Sequence, residues 1–178
     1  MDYDAIVIGA GISGLYQLLK LRELGLRVRV LEAGTGVGGT WYWNRYPGAR
    51  FDSESYSYGY SFSRELLAEW NWSEHFAGQP ETLRYLNHVA DKFDLRRDIQ
   101  FRSRVTAAHY DGDTRSWNIA LEDGTRFRSR FLITAIGPLS TPTLPAIVWM
   151  VCTPVAPVPI TATRWPVKST GSCGQRAV

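Results

Sequence analysis

The sequence predicts a doubly wound, three-layer α/β fold with a central parallel sheet and a small antiparallel β-meander. Tyr3 to Ile8 form a β-branched run ending at Gly9, which is typical of a buried strand that exits through a tight turn. Ser13 to Leu24 follow with apolar side chains on one helical face, and Gly25 ends that pattern as a C-cap. Arg27 to Leu31 then predict a second strand. Strand, helix and parallel strand in succession make a right-handed βαβ unit, the opening of a doubly wound sheet.

The remaining elements are predicted from period and turn residues. Ala33 to Ser63 are predicted as structured loop, because Gly, Ser and aromatic residues interrupt any regular pattern. Pro80 to Leu95 regain a helical pattern, with Pro80 suited to the first turn. Between Ile99 and Phe131, strand-like runs alternate with turn signals, of which Asp123-Gly124 is a strong hairpin mark, and they predict the meander. Arg130 to Ile136 predict a further buried strand that returns to the parallel sheet.

The turn after the first strand carries a phosphate-binding pattern. Gly9, Gly11 and Gly14 form G-x-G-x-x-G, in which the first turns the chain, the second admits a pyrophosphate and the third allows close helix packing. Ser13 lies within this pattern at the start of the helix, whose positive end attracts phosphates. Glu32 ends the second strand, where a carboxylate accepts hydrogen bonds from both ribose hydroxyls and repels a 2′-phosphate. The pattern predicts a Rossmann-like site for FAD or NAD rather than NADP; the alternative is a chance glycine-rich turn.

Composition and charge exclude several other functions. The 178 residues carry 20 Lys and Arg against 17 Asp and Glu with the signs interspersed, so no nucleic acid partner is expected. No basic-then-apolar leader is visible and no stretch approaches the ~20 apolar residues of a membrane span, so we expect a soluble, cytoplasmic protein. Cys152 and Cys173 are too few for a disulfide framework or a zinc site. His75, His88 and His109 show no metal-ligand spacing, so no metal is expected.

Aromatic residues are concentrated between Trp41 and Trp72 without helical or strand period. Such a stretch predicts an irregular loop around a large flat ligand; a hydrophobic plug on the sheet is a compatible alternative. The loop resembles that of Baeyer–Villiger monooxygenases, and the resemblance covers nearly everything from Tyr3 to Pro145. The stretches that carry it are Gly38 to Tyr56, Glu69 to Trp72, Asp91 to Leu95 and Gly137 to Ser140.

The resemblance implies an FAD- and NADPH-dependent enzyme that inserts one oxygen of O2 beside the carbonyl of a small-molecule ketone, giving an ester or lactone. Relatives that oxidise nitrogen or sulfur share this opening, so that alternative stays open. Four consecutive residues are implied to line the FAD, Tyr58 to contact it and Val105 to touch its adenine side. Those four are Thr40, Trp41, Tyr42 and Trp43, and Gly39 before them is also expected to bind the cofactor.

Asp52 is the implied catalytic residue. In the resembling family its counterpart lies beside the flavin ring and near an arginine of a later domain, and the stretch Arg50, Phe51 and Asp52 also meets NADP. An arginine there stabilises the negative charge formed when reduced flavin meets O2, and the carboxylate orients that arginine. Phe51 is larger than the residue that the resemblance implies. The alternative for Asp52 is an ordinary loop carboxylate that caps a turn.

The resemblance ends shortly after Ile147, which predicts two regions: residues 1–147 as the N-terminal segment of an FAD-binding domain, and 148–178 as a divergent, irregular tail. The family's fingerprint F-x-G-x-x-x-H-x-x-x-W-P keeps only Trp165-Pro166, with Thr161 in place of its histidine. We therefore expect an incomplete fold and a truncated chain, by a shifted reading frame or gene decay. Two hypotheses follow: a monooxygenase, or a non-catalytic FAD-binding fragment that needs a complementary chain for the nicotinamide domain.

Overall fold

The computed structural model describes residues 1–139, of which Met1–Gly137 form one compact unit. The predicted boundary at residue 147 and the tail 148–178 lie outside the described residues. The strands are β1 (Tyr3–Ile8), β2 (Val28–Leu31), β3 (Ile99–Gln100), β4 (Val105–Asp111), β5 (Ser116–Leu121) and β6 (Arg126–Thr134). The helices are α1 (Ile12–Glu23), α2 (Thr40–Trp43), α3 (Ser55–Tyr58), α4 (Arg64–Glu69) and α5 (Gln79–Lys92), with a 3₁₀ turn at Arg96–Asp98.

The six strands form one mixed sheet in the order β3-β2-β1-β6-β5-β4. β1 pairs in parallel with β2 and β6, and β2 pairs in parallel with β3. β4, β5 and β6 form the antiparallel meander. The predicted α/β class, with a parallel sheet and a meander, is confirmed. The predicted β1, α1, β2 and α5 are confirmed to within a few residues.

The strand assignments predicted from the sequence between Ile99 and Ile136 are wrong in two places. The last meander strand and the returning parallel strand are a single strand, β6, because Ser129 lies opposite Trp117 of β5 on one side and Tyr3 of β1 on the other. β3 belongs to the parallel sheet and not to the meander, since it pairs with β2. One strand thus joins the two parts of the sheet.

The sheet is covered on both faces. Alternate β1 residues Ala5 and Val7 are fully buried and pack in one core cluster with α1 and α5, including Leu15 and Leu86. Ile6, which points the other way, is buried with residues of β2 and β5 in a second cluster. Alternation along β1 therefore buries one set of side chains against α1 and α5 and the other set with side chains of β5.

The region predicted as loop, Ala33 to Ser63, contains two single-turn helices, α2 and α3, joined by irregular backbone. α4 was not predicted. It begins after Ser63, whose side-chain oxygen accepts a hydrogen bond from Leu66 N at 3.1 Å, with Glu65 in its first turn. Among residues 1–139, no helix is both long and apolar enough to cross a membrane.

Candidate functional site

The turn between β1 and α1 has no room for side chains. Gly9 has φ +102°, and a β-carbon built there would lie 2.6 Å from the carbonyl oxygen of Ala135. A β-carbon on Gly14 would lie 1.9 Å from the carbonyl oxygen of Gly9. Glycine is therefore required at both positions so that β1, α1 and the segment after β6 can pack together.

The N-terminus of α1 is open to an anion. Gly11 is its N-cap residue, no side chain caps the helix and its first turn contains no acidic residue. Ser13, in that first turn, is exposed. The first turn of this 12-residue helix thus has no side chain that competes with a phosphate group for its N–H groups.

A second glycine segment meets this turn. Gly39 has φ +53°, and a β-carbon on it would lie 2.8 Å from Gly11 Cα. Gly38 N donates to the carbonyl oxygen of Ala10 at 2.9 Å. Thr40 follows as the first residue of α2. The backbone at the start of α1 and the backbone before α2 are therefore in contact at Gly11 and Gly39. A side chain on either glycine would fill the space beside the start of α1.

Glu32 is buried at the end of β2 and is held by backbone. It is 5% exposed, and its Oε2 accepts from Ala10 N at 2.7 Å while Oε1 accepts from Gly34 N at 2.7 Å. Its main chain is also fixed, because Ser103 N donates to the Glu32 carbonyl oxygen at 2.8 Å. The carboxylate is thus placed next to the glycine turn, and each of its oxygens keeps lone-pair capacity for another donor.

The three aromatic residues of α2 point to different surroundings. Trp41 is buried, whereas Trp43 is 57% exposed. Tyr42 packs edge to face on Trp43, with ring centroids 4.9 Å apart, and its hydroxyl contacts Thr35 Oγ1 at 2.6 Å. The residues implied to line the cofactor therefore do not form one continuous surface, because Trp41 lies in the core and Trp43 is exposed to solvent.

Trp41, Phe51 and Tyr58 form an aromatic cluster. Phe51 and Tyr58 are stacked, with centroids 4.1 Å apart and planes within 7°, and Trp41 stands nearly perpendicular to both. Trp41 Nε1 donates to the Tyr58 hydroxyl at 2.8 Å. Burial raises the pKa of Tyr58, and the nearby Asp52 carboxylate adds to that increase. Phe51, larger than expected, is accommodated as a core residue that is 6% exposed.

Asp52 is exposed beside this cluster. Within the part of the chain that the structure describes, its carboxylate has no hydrogen-bond or salt-bridge partner. Arg50, two residues earlier, is bound instead to Glu74 Oε2 at 3.1 Å and to the Phe76 carbonyl oxygen at 3.1 Å. Among residues 1–139, the Asp52 carboxylate thus neither caps a turn nor pairs with a cation.

Val105 is half-buried at the first position of β4, opposite Leu121 of β5. The segment that leads into β4 is tied to the end of β2, because Arg102 N donates to the Gly34 carbonyl oxygen at 2.9 Å. The chain that leads into Val105 is therefore anchored beside Glu32, whereas Asp52 and Tyr58 belong to the aromatic segment.

Several residues that shape the site were missed from the sequence. Gly34 and Gly36 both lie against the Tyr42 ring, since a β-carbon on Gly34 would be 2.8 Å from Tyr42 Cε1 and one on Gly36 would be 3.0 Å from Cε2. The alternating glycines after Glu32 were a usable signal for this close contact. Ser55 was also missed, and no pattern in the sequence singles it out. Among residues 1–139, no cluster of His, Cys, Asp and Glu is suited to hold a metal ion.

The fold is that of a Rossmann-like α/β domain that is only partly covered by this chain. Residues 7–66 match the family model of the NAD(P)-binding Rossmann-like domain. The close homologues of the chain are Baeyer–Villiger, cyclohexanone and acetone monooxygenases, which confirms the resemblance noted in the aromatic loop.

The similarity to individual relatives is high but covers only part of each. The acetone monooxygenase (methyl acetate-forming) of Gordonia sp. (strain TY-5) is 54% identical over 139 residues, 78% of this chain and 26% of that protein. The phenazine N-monooxygenase of Lysobacter antibioticus is 47% identical over 146 residues, 82% of this chain and 27% of that protein. The crystal structure of OTEMO in complex with FAD and NADP matches with a TM-score of 0.76 at 51% identity, over 80% of this chain and 27% of that one. The chain thus spans about a quarter of the length of these relatives, in their N-terminal part.

Proposed function

We propose that this chain forms the FAD-binding part of an FAD- and NADPH-dependent Baeyer–Villiger monooxygenase, which uses O2 to convert a ketone into an ester or lactone. The observation that carries the proposal is the close contact of Gly11 and Gly39 beside the uncapped start of α1, with the Glu32 carboxylate next to it. Bare backbone at that contact suits a pyrophosphate, and a carboxylate beside it suits a ribose.

The residues present fit FAD at both ends. At the adenosine end, Glu32 accepts one backbone N–H on each oxygen and can accept further hydrogen bonds from ribose hydroxyls. At the other end, Trp41, Phe51 and Tyr58 provide a rigid aromatic surface that can exclude water from a flat ring. We place Thr40, Tyr42, Trp43 and Val105 along the same cofactor; these four and Ser13 remain proposed contacts.

When bound, FAD supplies the redox chemistry by which electrons from NADPH activate O2. The role we assign to Asp52 is to orient an arginine supplied from outside residues 1–139. Support comes from its exposed carboxylate, which lies next to Tyr58 and pairs with no other residue of the described part of the chain. We assign Arg50 to the NADPH side and not to Asp52 as its partner, because its guanidinium is paired with Glu74.

Because this chain corresponds to about a quarter of its relatives, we assign the nicotinamide and ketone sites to polypeptide beyond these residues, in the same protein or in a complementary chain. The purified 178-residue chain is then expected to bind FAD but not to oxidise NADPH in a ketone-dependent reaction.

The test is a titration of the purified chain with FAD, followed by flavin absorbance and fluorescence. Saturable binding that Gly11→Ala weakens would support the site, with Gly112→Ala as the matched control because no atom lies within 4 Å of a β-carbon there. Lack of FAD binding by folded protein would refute the proposal. NADPH consumption with and without a simple ketone then separates a working enzyme from a non-catalytic FAD-binding module.

A second candidate function is oxygenation of a ring nitrogen. The 47% identity to the phenazine N-monooxygenase of Lysobacter antibioticus favours it. Residues 1–139 supply no substrate pocket that distinguishes carbonyl from nitrogen. The two candidates are separated by the product that a complete protein forms from a ketone and from a phenazine under the same conditions.

A further inference from the structure

The Tyr42 hydroxyl is already engaged by the loop that follows Glu32, here called the post-β2 loop (Gly34–Gly36). Thr35 N donates to the Tyr42 oxygen at 3.2 Å, and Thr35 Oγ1 lies 2.6 Å from it. These hydrogen bonds from Thr35 lower the pKa of Tyr42 below its usual value. The Tyr42 hydroxyl is therefore already hydrogen-bonded to the backbone and the side chain of Thr35, and it is not an unbonded group that a ligand could use.

The Tyr42 ring fixes the same loop by shape. Built β-carbons on Gly34 and Gly36 would lie 2.8 and 3.0 Å from opposite edges of the ring, so both glycines pack directly against it. Gly34 in turn donates its N–H to Glu32 Oε1 at 2.7 Å. The loop thus holds one oxygen of the Glu32 carboxylate, and Tyr42 packs against that loop.

Tyr42 also belongs to the other half of the site. It lies in α2, whose N-cap residue Gly39 is in close contact with Gly11 at the start of α1. Tyr42 N donates to the Gly39 carbonyl oxygen at 3.0 Å. One residue therefore connects the contact suited to a pyrophosphate with the carboxylate suited to a ribose.

We propose that Tyr42 is a positioning residue for the adenosine half of the dinucleotide, which it orders by holding the post-β2 loop and so the Glu32 carboxylate. This rests on the proposed function, because it assumes that Glu32 receives the ribose. It goes beyond the cofactor contact proposed above, because a residue that only lined the flavin would change the affinity for FAD and not that for ADP.

Tyr42→Phe keeps the ring and removes only the hydroxyl. Binding of ADP and of FAD is measured by calorimetry on the full 178-residue chain, since both ligands carry the adenosine diphosphate and only one carries the flavin. Loss of the two neutral hydrogen bonds between the Tyr42 hydroxyl and Thr35 predicts that both affinities fall by the same factor, between about fivefold and about thirtyfold. The control is Tyr110→Phe, on the exposed surface of the meander, for which neither affinity changes.

A second measurement needs no ligand. Amide hydrogen exchange in Tyr42→Phe is expected to accelerate at the post-β2 loop and to remain unchanged in β1 and α5. Thr35→Ala, at an exposed residue, removes the other hydroxyl and is expected to act in the same direction to a smaller extent, because Thr35 N–H remains.

Equal loss of ADP and FAD affinity with locally faster exchange supports the assignment. Unchanged affinities, or a loss for FAD alone, overturn it and leave the proposed function intact. If Tyr42→Phe destabilises the whole domain, the ADP affinity of Thr35→Ala is the deciding measurement. An unchanged ADP affinity in Thr35→Ala then overturns the assignment. A parent chain that binds neither ligand refutes the proposed function and this assignment with it.

Discussion

Gly11 and Gly39 face each other so closely that a β-carbon on Gly39 would lie 2.8 Å from Gly11 Cα, while one on Gly11 would lie 3.3 Å from Gly39 Cα. The two glycines also differ in backbone conformation, so the same substitution has a different cost at each of them. Gly11 has φ −79°, which any residue adopts, whereas Gly39 has φ +53°. A methyl group can therefore be added at Gly11 without backbone strain, and the effect of filling the contact can be measured separately from folding.

Gly11→Ala is expected to weaken FAD binding by more than about tenfold, because a methyl group occupies the approach of the pyrophosphate, while unfolding free energy changes by less than about 1 kcal/mol. Isothermal titration and urea denaturation measure the two quantities. Gly112→Ala, where a β-carbon meets no atom within 4 Å, controls for the added methyl group. Undiminished FAD affinity in Gly11→Ala would show that the phosphates lie elsewhere.

Glu32→Gln is expected to destabilise the fold by about 2 kcal/mol, since an amide NH₂ would replace one of the two oxygens that accept buried backbone N–H groups. Those N–H groups belong to Ala10 and Gly34, each 2.7 Å from a carboxylate oxygen. Denaturant midpoints measure the change, with Glu122→Gln on the exposed meander as the control. Equal midpoints for the parent and Glu32→Gln would contradict the structural role.

Part of this architecture was readable from the sequence because its signals are local. The spacing of Gly9, Gly11, Gly14 and Glu32 identified the turn and the acid, and short apolar runs identified the strands. The spacing did not indicate that two backbone N–H groups donate hydrogen bonds to the Glu32 carboxylate. That arrangement depends on where the loop after β2 folds back, which tertiary contacts decide.

β6 shows why strand boundaries were misjudged. Its arginine-containing first half alternates like a half-exposed strand and its second half is an apolar run, so the composition indicated two strands. Ser129, fully buried, has partners on both sides, and the change of composition marks a change of neighbour rather than a break. α4 could have been predicted, because Ser63 and Glu65 are a usual N-terminal signal.

Tyr60→Phe is expected to reduce the sensitivity of the fold to alkaline pH. Burial raises the pKa of Tyr60 well above its usual value, and its hydroxyl donates to the Ile12 carbonyl oxygen in the first turn of α1. A raised pKa contributes stability that is fully present below the pKa of an unfolded tyrosine, about 10, and that is lost as pH rises above it. In that window the unfolded chain ionises while the folded one resists ionisation.

Denaturant midpoints at about pH 8 and about pH 10.5 measure this effect, because the usual tyrosine pKa lies between them. Tyr60→Phe should lose about 1 kcal/mol at the lower pH from the missing hydrogen bond, and should lose less than the parent on going to the higher pH. Tyr110→Phe, at an exposed position, controls for the number of tyrosines. Parallel pH profiles for Tyr60→Phe and the parent would count against the buried hydroxyl as the cause.

Ser55→Ala is expected to destabilise the fold by about 2 kcal/mol and to loosen the segment that carries Asp52, because a buried hydrogen-bonding group loses its partner. Ser55 is 1% exposed; its hydroxyl accepts from Ala77 N at 2.9 Å and donates to the Glu74 carbonyl oxygen at 2.7 Å. The substitution leaves the buried Ala77 N–H without an acceptor. Thermal denaturation measures the loss, and exposed Ser61→Ala is the control.

Amide hydrogen exchange shows which segments of the chain Ser55→Ala loosens. Ser55 joins the stretch that contains Asp52 to residues 74–77, so exchange in Ser55→Ala should accelerate most in these two segments, by more than the general increase in β1 and α1 that the lower stability produces. A uniform increase across the domain would mean that Ser55 contributes to overall stability without fixing the Asp52 segment. Local loosening would instead show that the exposed carboxylate of Asp52 is held in place by a buried hydroxyl three positions along the chain.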